Sequence, residues 1–328
     1  MVKIAVVGAT GLVGRKMIDV LEKKDIPCDE LVLFSSSRSA GKELTFRNKT
    51  YRVEELTEAR TAEGFDYVLM SAGGSTSLKF SPLFEQNGAI VIDNSSAFRM
   101  DPTIDLIVPE VNRPVLNRKI IANPNCSTIQ SVIPLKVLED AFGVKRVSYT
   151  TYQAVSGSGV NGIQDLKRGE NGEAPMNYPH PIYNNAIPHI DVFFEDGYTK
   201  EEVKMIEETR KILGLNELKV TATCVRVPVE NSHGVAMNVT LDDSPSVAEL
   251  KQVFDQNDHV VLQDDPQNNV YPTQLGSAGK EDVFVGRIRK DESMENTYHL
   301  WVTSDNLLKG AALNAVQILQ QLIDTKEG

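Results

Sequence analysis

The sequence predicts an α/β protein that folds as two domains. Its 328 residues are about twice the length of a typical domain of roughly 150 residues. In the first third, short apolar runs alternate with helical patterns, which is typical of βαβ units and a parallel sheet. The middle of the chain carries longer strand patterns, several with alternating polarity and few helices between them. This second pattern predicts an α+β domain with a mixed or antiparallel sheet.

The first third contains a series of short predicted strands and an amphipathic helix. The opening strand is a continuous apolar run, Ile4-Ala5-Val6-Val7, of the kind that is buried on both faces of a parallel sheet. The helix is predicted over residues 12–24. The strands are predicted over residues 3–7, 31–34, 67–70, 89–92, 106–108 and 119–122.

Longer strands and a final helix are predicted in the remainder. The strands cover residues 144–155, 218–227, 234–241, 283–289 and 297–303. Residues 170–188 are rich in Asn, Pro and Gly and predict an extended loop. Apolar residues at helical spacing over 306–326 predict a helix that either closes the second domain or returns to the first. We therefore expect one domain over 1–127 together with 306–328, and the other over 128–305.

Composition narrows the class of protein. A hydrophobic content of 41% with 24% charged residues is ordinary for a globular chain and argues against disorder. The net charge of −11 argues against non-specific binding of nucleic acid. No apolar run approaches the ~18 residues that cross a bilayer, so we expect no membrane partner. Three scattered cysteines fit a reducing cytoplasm, and the absence of clustered Cys and His predicts no metal.

A glycine-rich turn follows the first strand and opens the first helix. The segment is Gly8-Ala-Thr-Gly11-Leu-Val-Gly14, which we call the glycine turn. Glycines permit a tight turn and a close approach of backbone N–H groups to a pyrophosphate, and the helix start adds partial positive charge. The spacing is a variant of the usual dinucleotide motif, and an ordinary βα turn is the alternative. Its position at the start of a βαβ unit favours a Rossmann-like dinucleotide-binding domain.

The end of the second predicted strand indicates which dinucleotide is bound. An NAD site usually places an acidic residue there, about 20 residues after the glycines, to hold the ribose 2′-hydroxyl. Here the segment is Leu-Phe-Ser-Ser-Ser-Arg-Ser over residues 33–39, with no acid, three hydroxyls in a row and Arg38. Arg and Ser side chains can hold a 2′-phosphate. The segment therefore favours NADP(H), with a plain serine-rich loop as the alternative.

One of the three cysteines has a context that activates a thiol. Cys126 lies in Asn-Pro-Asn-Cys-Ser-Thr, after a strand and before a helix-compatible run. A helix start lowers the pKa of a thiol and favours the nucleophilic thiolate. Cys28 lies between two acidic residues, and Cys224 lies inside an apolar strand. Cys126 is therefore the candidate nucleophile.

These two motifs together resemble the aspartate-β-semialdehyde dehydrogenase family. Further landmarks agree in order along almost the whole chain. They lie at residues 35–41, 93–101, 153–159, 187–191, 201–204 and 226–234. The related acetylglutamyl-phosphate reductases carry a different cysteine context and are the nearest alternative enzyme. A dinucleotide-sensing regulator without chemistry is an alternative from another class.

The resemblance implies an activity and a place in metabolism. Members of the family convert L-β-aspartyl phosphate and NADPH to L-aspartate-β-semialdehyde, NADP and phosphate through a cysteine thioester. The product leads to lysine through diaminopimelate, and to threonine, methionine and isoleucine. The resemblance also implies small-molecule substrates, no nucleic acid and a homodimer.

The resemblance assigns roles at the reacting centre. Cys126 is the nucleophile, His233 the acid–base residue and Gln153 the residue that orients the thioester. A base with a pKa near neutrality is what thiol activation needs. Arg226 is the ligand of the substrate α-carboxylate, and Glu201 is the partner of the α-ammonium. Glu202 is the alternative, because one residue of register decides between them.

The resemblance also implies a phosphate site and a cofactor site. The phosphate ligands are Arg99, Lys204 and Asn125. For Lys204, an ordinary ion pair with Glu201 on an exposed helix is the alternative. Asn306 is expected at the head of the final helix. The cofactor residues are Gly8, Thr10, Gly11, Leu12, Val13, Ser36, Arg38, Ser39, Ser156, Gly157 and Asn306.

Overall fold

The computed structural model describes residues 1–327, with side chains to residue 325. The chain divides into two compact units. The first comprises Met1–Pro124 and the residues from Ala311 onward, and the second comprises Asn125–Gly310.

The helices and strands of the described chain are as follows. The strands are β1 (Lys3–Val7), β2 (Glu30–Ser35), β3 (Glu43–Phe46), β4 (Lys49–Arg52), β5 (Glu54–Glu55), β6 (Tyr67–Met70), β7 (Ile90–Asp93), β8 (Asp105–Leu106), β9 (Ile120–Ala122), β10 (Val144–Gln153), β11 (Lys219–Arg226), β12 (His233–Leu241), β13 (Val261–Leu262), β14 (Phe284–Lys290) and β15 (Thr297–Ser304). The helices are α1 (Leu12–Lys23), α2 (Gly74–Gln86), α3 (Cys126–Phe142), α4 (Gly159–Glu170), α5 (Lys200–Leu213), α6 (Val247–Asp255), α7 (Gln274–Ser277) and α8 (Leu313–Glu327).

The first unit is built on a seven-stranded sheet whose paired strands are all parallel. The strand order is β5-β2-β1-β6-β7-β9-β8. The apolar run of β1 is fully buried, with Ile4, Ala5 and Val6 each 0% exposed. Because β2 and β6 lie on opposite sides of β1, the strand order reverses there, and such a switch point is where open parallel sheets bind ligands. The predicted α/β class and the Rossmann-like first sheet are confirmed.

The hairpin of β3 and β4 is an element that the sequence pattern did not predict. Its two-residue turn is Arg47-Asn48, with φ of 49° and 60°. Turns of this hand usually carry Asn-Gly or Asp-Gly. Arg47-Asn48 is not one of these turn dipeptides, so the local sequence does not predict the hairpin.

The second unit is built on a six-stranded mixed sheet, as predicted. Its strand order is β11-β10-β12-β15-β14-β13, with β11 and β13 each parallel to its neighbour and the central strands antiparallel. The extended loop predicted over 170–188 falls within the connection between α4 and α5. Residues 171–199 of that connection contain no helix or named strand.

The carboxyl-terminal helix is α8, and a π-helical turn over Leu308–Ala312 precedes it. It packs against α1 and β7 of the first unit. The residues Ala315, Ile318 and Leu319 are each 0% exposed. Among residues 1–327, no helix combines the length and the apolar character needed to span a membrane.

Candidate active site

Cys126 is the first residue of α3, as the sequence predicts. The side chain of Asn125 caps this helix, since its Oδ1 accepts the backbone N–H of Ser127 at 2.9 Å and that of Thr128 at 3.3 Å. The amino-terminal end of a helix carries partial positive charge, which stabilises a thiolate. The local sequence therefore places the thiol at the positive end of a helix, an environment that favours a thiolate.

His233 opens β12, and its ring faces Cys126. The distance between His233 Nε2 and Cys126 Sγ is 3.2 Å, and the backbone N–H of Ala154 donates to His233 Nδ1 at 3.0 Å. Because Nδ1 accepts a hydrogen bond, the neutral ring carries its hydrogen on Nε2, directed at the sulfur. This tautomer is assigned from the hydrogen-bond pattern. In this form, the imidazole donates to Cys126 instead of accepting its proton.

The ionisation of His233 differs from the sequence expectation of a base near neutrality. The ring is fully buried. Burial, and next the positive charge of Arg226, lower the pKa of His233 from 6.5 to about 3. The ring is thus neutral throughout the physiological range. The difference arises because β12 carries the residue into the interior, which the flanking sequence does not reveal.

A buried carboxylate joins the other members of the site. Glu201, on the first turn of α5, accepts hydrogen bonds through Oε1 from Asn125 at 2.8 Å and from Gln153 at 3.0 Å. Burial alone would raise the pKa of Glu201, but the charge of Lys204 and these two donors hold it at about 2. Gln153 also donates to the hydroxyl of Ser127. We call Cys126, His233, Gln153, Asn125 and Glu201 the thiol cluster.

The structure separates the two adjacent glutamates. Glu202 accepts the backbone N–H of Thr199 at 2.7 Å and that of Cys224 at 3.0 Å, and with Thr199 it forms a capping box at the start of α5. Its carboxylate is therefore committed to the backbone. Glu201 is the one that faces the thiol cluster.

Arg226 ends β11 opposite Gln153 on the neighbouring strand β10. The side chain is buried, and Nη1 donates to the carbonyl of Ala154 at 2.6 Å. Its Nε has no hydrogen-bond partner among the described residues. A Cβ at Gly157 would lie 3.0 Å from Arg226 Nη1 and 3.4 Å from His233 Nε2. A guanidinium with an unused donor thus lies beside the histidine, at a point that only glycine leaves open.

Lys204 follows Glu201 on the next turn of α5. Its Nζ lies 3.1 Å from a Glu201 oxygen and 2.8 Å from an Asp191 oxygen. The ion pair with Glu201, given above as the alternative for Lys204, is therefore present. Burial would lower the pKa of Lys204, but the two carboxylates raise it above its usual value.

Arg99 belongs to the first unit. Its Nε donates to the carbonyl of Asn123 at 2.9 Å, and Nη2 donates to the carbonyl of Asn94 at 3.0 Å. The side chain is buried. These bonds fix the guanidinium against the loop that follows β7.

Ser156 and Asn306, both predicted to contact the cofactor, lie together in the second unit. Asn306 Nδ2 donates to Ser156 Oγ at 3.0 Å, and its Oδ1 accepts the backbone N–H of Ser232 at 2.8 Å. Asn306 lies two residues before the π-helical turn at Leu308, which runs directly into α8. The residue that caps this helical segment is Asp305, whose Oδ1 accepts the backbone N–H groups of Leu307 and Leu308.

The glycine turn has the close packing that a dinucleotide site requires. Gly8 has a φ of +80°, and a Cβ there would lie 2.3 Å from the carbonyl oxygen of Ser71. A Cβ at Gly14 would lie 2.2 Å from the carbonyl oxygen of Gly8. The helix start at Leu12 is thereby drawn against the end of β1, with Thr10, Gly11 and Val13 in the same turn. The residues fit a bound pyrophosphate.

The serine-rich segment after β2 forms a turn at the same edge of the first sheet. The backbone N–H of Ser39 donates to the carbonyl of Ser36 at 2.9 Å, and the Thr10 and Ser35 hydroxyls lie 3.0 Å apart. Arg38 is exposed. The turn therefore presents hydroxyls and a cation beside the glycine turn.

No group of three or more His, Cys, Asp or Glu side chains with metal-binding geometry occurs in the described part of the chain.

Two residues near the thiol were missed by the sequence reading. Glu208 is buried, and its Oε2 accepts the backbone N–H of Asn125 at 2.6 Å. A Cβ at Gly310 would come within 2.9 Å of Cys126 Cβ. Glu208 lies two helical turns after Glu201 on one face of α5, and this spacing was an available signal. Gly310 lies 184 positions from Cys126 by residue number (310 − 126) and had no local signal.

Two protein-family models match this chain, one over most of the first unit and one over most of the second. Residues 3–119 match the family described as semialdehyde dehydrogenase, NAD binding domain. Residues 135–309 match semialdehyde dehydrogenase, dimerisation domain. These two matches assign the chain to the semialdehyde dehydrogenases, oxidoreductases with a nicotinamide dinucleotide cofactor.

Full-length relatives narrow the assignment. An aspartate-semialdehyde dehydrogenase of Aquifex aeolicus is 50% identical over 99% of this chain and 98% of its own. The structure of aspartate semialdehyde dehydrogenase II of Vibrio cholerae in complex with ASA superposes with a TM-score of 0.94 at 42% identity, over 99% of this chain and 98% of that one. The structure of aspartate semialdehyde dehydrogenase of Candida albicans with NADP superposes with a TM-score of 0.76 at 27% identity, over 97% of this chain and 98% of that one. The chain belongs to the aspartate-semialdehyde dehydrogenase family.

Proposed function

We propose that the chain is an NADP-dependent aspartate-semialdehyde dehydrogenase that reduces L-β-aspartyl phosphate to L-aspartate-β-semialdehyde through a thioester on Cys126. The observation that carries the proposal is the Cys126 thiol at the start of α3, with His233 Nε2 at 3.2 Å from its sulfur. The names of the full-length relatives support the substrate.

The first step is attack of the Cys126 thiolate on the acyl carbon. A C–S bond forms, and the bond from the acyl carbon to the phosphate oxygen breaks, so that phosphate leaves. Covalent catalysis divides one difficult displacement into two easier steps. The helix start stabilises the thiolate, and Gln153 lies one hydrogen bond from Ser127, the residue that follows the nucleophile.

The second step converts the thioester to the aldehyde. A reduced nicotinamide, when bound, would supply the hydride that reduces the thioester carbon. The resulting thiohemiacetal alkoxide expels the Cys126 thiolate as its C–O bond becomes a carbonyl, and the thiolate is ready for another turnover. The departing phosphate takes up the one proton that the overall reaction consumes from solvent.

His233 acts as a neutral hydrogen-bond donor in this scheme. Its Nδ1 is occupied by the Ala154 N–H, so Nε2–H can stabilise negative charge on sulfur or on the nearby alkoxide oxygen. A neutral histidine with a lowered pKa is a known way to supply an electrophilic donor. This role differs from the acid–base role that the family resemblance implies.

Arg226 and Glu201 are proposed to hold the amino-acid end of the substrate. The unused donor of Arg226 suits a carboxylate, and the ionised carboxylate of Glu201 suits an ammonium. Arg99, Lys204 and Asn125 are proposed to hold the phosphate, since a departing dianion needs cations or N–H donors.

The first unit is proposed to bind the cofactor, with Gly8, Thr10, Gly11, Leu12 and Val13 around the pyrophosphate. Ser36, Arg38 and Ser39 are proposed to hold the 2′-phosphate of NADP. Ser156, Gly157 and Asn306 of the second unit are proposed to contact the nicotinamide end. The absence of an acidic residue in the segment after β2 supports NADP over NAD.

A homodimer is proposed through the open face of the six-stranded sheet. Alternate residues on its central strands are partly exposed, including Tyr152 and Trp301, whose ring centroids lie 5.4 Å apart. A second copy would cover this face, and the dimerisation description of the matched family supports that occupant. The proposed setting is the cytoplasm, where thiols stay reduced, in biosynthesis of lysine through diaminopimelate and of threonine, methionine and isoleucine.

The test is the Cys126→Ala variant. We expect turnover of aspartyl phosphate with NADPH to fall by at least about 10⁴-fold, because the covalent route is lost, while NADPH still binds. Cys28→Ser is the matched control, since burial raises the pKa of that thiol to about 11. Wild-type turnover in Cys126→Ala would overturn the mechanism. In the wild-type protein, preference for acetylglutamyl phosphate would replace the proposed substrate, and binding of NADPH without any turnover would indicate a regulator.

A further inference from the structure

The ammonium of Lys204 is shared by two carboxylates of different kinds. Glu201 belongs to the thiol cluster, and its side chain is 7% exposed. Asp191 lies outside the cluster, in the connection between α4 and α5, and its side chain is 31% exposed. Asp191 is the nearer partner, at 2.8 Å from Nζ against 3.1 Å for Glu201. The three groups together carry one net negative charge.

Asp191 is held in place by its own backbone. The residue has a φ of +68°, and its Oδ1 accepts the N–H of Val192 at 2.9 Å. On one side, Ile187 exchanges backbone hydrogen bonds with Arg226, and on the other, Lys200 donates to the carbonyl of Val192 at 2.8 Å. The carboxylate is therefore presented to Lys204 by a fixed segment.

We propose that Asp191 is a competing counter-ion that weakens anion binding at Lys204 and so sets the affinity of the enzyme for phosphate. The inference rests on the proposed role of Lys204 as a phosphate ligand. A phosphate dianion that approaches Lys204 meets a cation already balanced by two carboxylates, and the nearer of them repels it. The same repulsion assists departure of phosphate after Cys126 is acylated.

The charge of Asp191 can be removed without changing the shape of its side chain. Asp and Asn both tolerate the left-handed backbone region, and both offer Oδ1 to Val192. Asp191→Asn therefore removes the charge and keeps the shape, the turn and the backbone hydrogen bond. Loss of the fold is not expected from this substitution.

The measurement is the KM for inorganic phosphate in the reverse reaction, with aspartate semialdehyde and NADP, at constant ionic strength. Asp191→Asn should lower this KM by about 3- to 10-fold, with the KM for NADP within about twofold of wild type. The inhibition constant of sulfate, a dianion that cannot react, should fall by a similar factor. Asp196→Asn is the control, because that exposed aspartate lies on the same connection and accepts the N–H of Tyr198 at 3.0 Å.

A Lys204→Met variant tests the counter-ion role of Asp191 separately from the proposed role of Lys204 as a phosphate ligand. It should raise the phosphate KM, and adding Asp191→Asn to it should then change nothing, because the shared cation is gone. If Lys204→Met raises the KM and Asp191→Asn alone fails to lower it, the counter-ion role is overturned and the phosphate site stands. If Lys204→Met leaves the KM unchanged, the phosphate site at Lys204 and the counter-ion role are both overturned.

Discussion

The glycine turn and the thiol cluster are built in opposite ways. The glycine turn is seven consecutive residues whose useful groups are backbone N–H donors, and its packing depends on missing side chains at Gly8 and Gly14. The thiol cluster draws its five side chains from α3 and its N-cap residue, β10, α5 and β12, with Cys126 and His233 separated by 107 positions. A site built from backbone N–H groups can be formed by consecutive residues, whereas a cluster of side chains is brought together only by the tertiary fold.

The difference also extends to electrostatics. In the thiol cluster, burial moves the pKa of His233 to about 3 and the surrounding donors hold that of Glu201 at about 2. The glycine turn itself contains no ionisable side chain. Substitutions should therefore act through charge and donors in the cluster, and through steric fit in the turn.

The largest effect in this comparison is expected at His233. His233→Ala should lower kcat for aspartyl phosphate reduction by about 10²- to 10³-fold, as for loss of a donor to a developing anion. His233→Asn retains an N–H donor but cannot act as a base near neutrality. It should recover part of the rate, and also part of the rate at which iodoacetamide alkylates Cys126.

The control for His233 is His299→Asn, on β15 of the same sheet, where the ring pairs with Asp291 at 3.2 Å. That variant should keep wild-type kcat. Equal losses in His233→Ala and His233→Asn would favour proton transfer over donation, and would contradict the tautomer assigned from Ala154.

The next largest effect is expected at Gly14. Gly14→Ala places a Cβ 2.2 Å from the carbonyl oxygen of Gly8, and overpacking of this kind costs about 1–3 kcal/mol. We expect NADP binding to weaken by about 10- to 100-fold in a fluorescence titration. Alkylation of Cys126 should remain at its wild-type rate, because the thiol cluster does not depend on this turn.

Gly74→Ala is the matched control for Gly14, since a Cβ at Gly74 meets nothing within 4 Å. It should bind NADP as wild type does. Normal NADP binding by Gly14→Ala would mean that the close packing of Gly14 against Gly8 is not needed for NADP binding. Steric fit would then no longer distinguish the glycine turn from the thiol cluster.

The same contrast explains how far sequence reasoning could go. The buried run of β1, the glycine turn and the helix start at Cys126 are local patterns, and each was predictable from neighbouring residues. The surroundings of Cys126 were harder to predict. Gly310 lies against Cys126 only through the tertiary fold, and the helical spacing of Glu208 does not reveal that it accepts the N–H of Asn125. His233 was named from a family resemblance. Its burial follows from the place of β12 in the sheet, and its tautomer is assigned from the N–H of Ala154, 79 positions away.

The hairpin of β3 and β4 shows a different limit. Its turn residues, Arg47 and Asn48, adopt left-handed backbone conformations that the surrounding structure imposes. Arg47 is held there by its hydrogen bonds to the carbonyl of Ile26 at 2.7 Å and to Asp25 at 3.0 Å. Local propensity alone would not select this conformation, so tertiary contacts override the signal.

The smallest effect is expected at Arg38, where the two kinds of recognition meet. The pyrophosphate contacts proposed for the glycine turn would be common to NAD and NADP, whereas a 2′-phosphate occurs in NADP alone. Arg38 is exposed, so its charge-assisted bond is partly screened, and Arg38→Ala should raise the KM for NADP by about 10-fold. The KM for NAD should not change, because the backbone contacts are intact.

Lys42→Ala, which removes another exposed cation a turn later, should affect the two cofactors equally. Equal losses of NAD and NADP in Arg38→Ala would show that this side chain supports the turn as a whole, and that side-chain recognition is confined to the second unit.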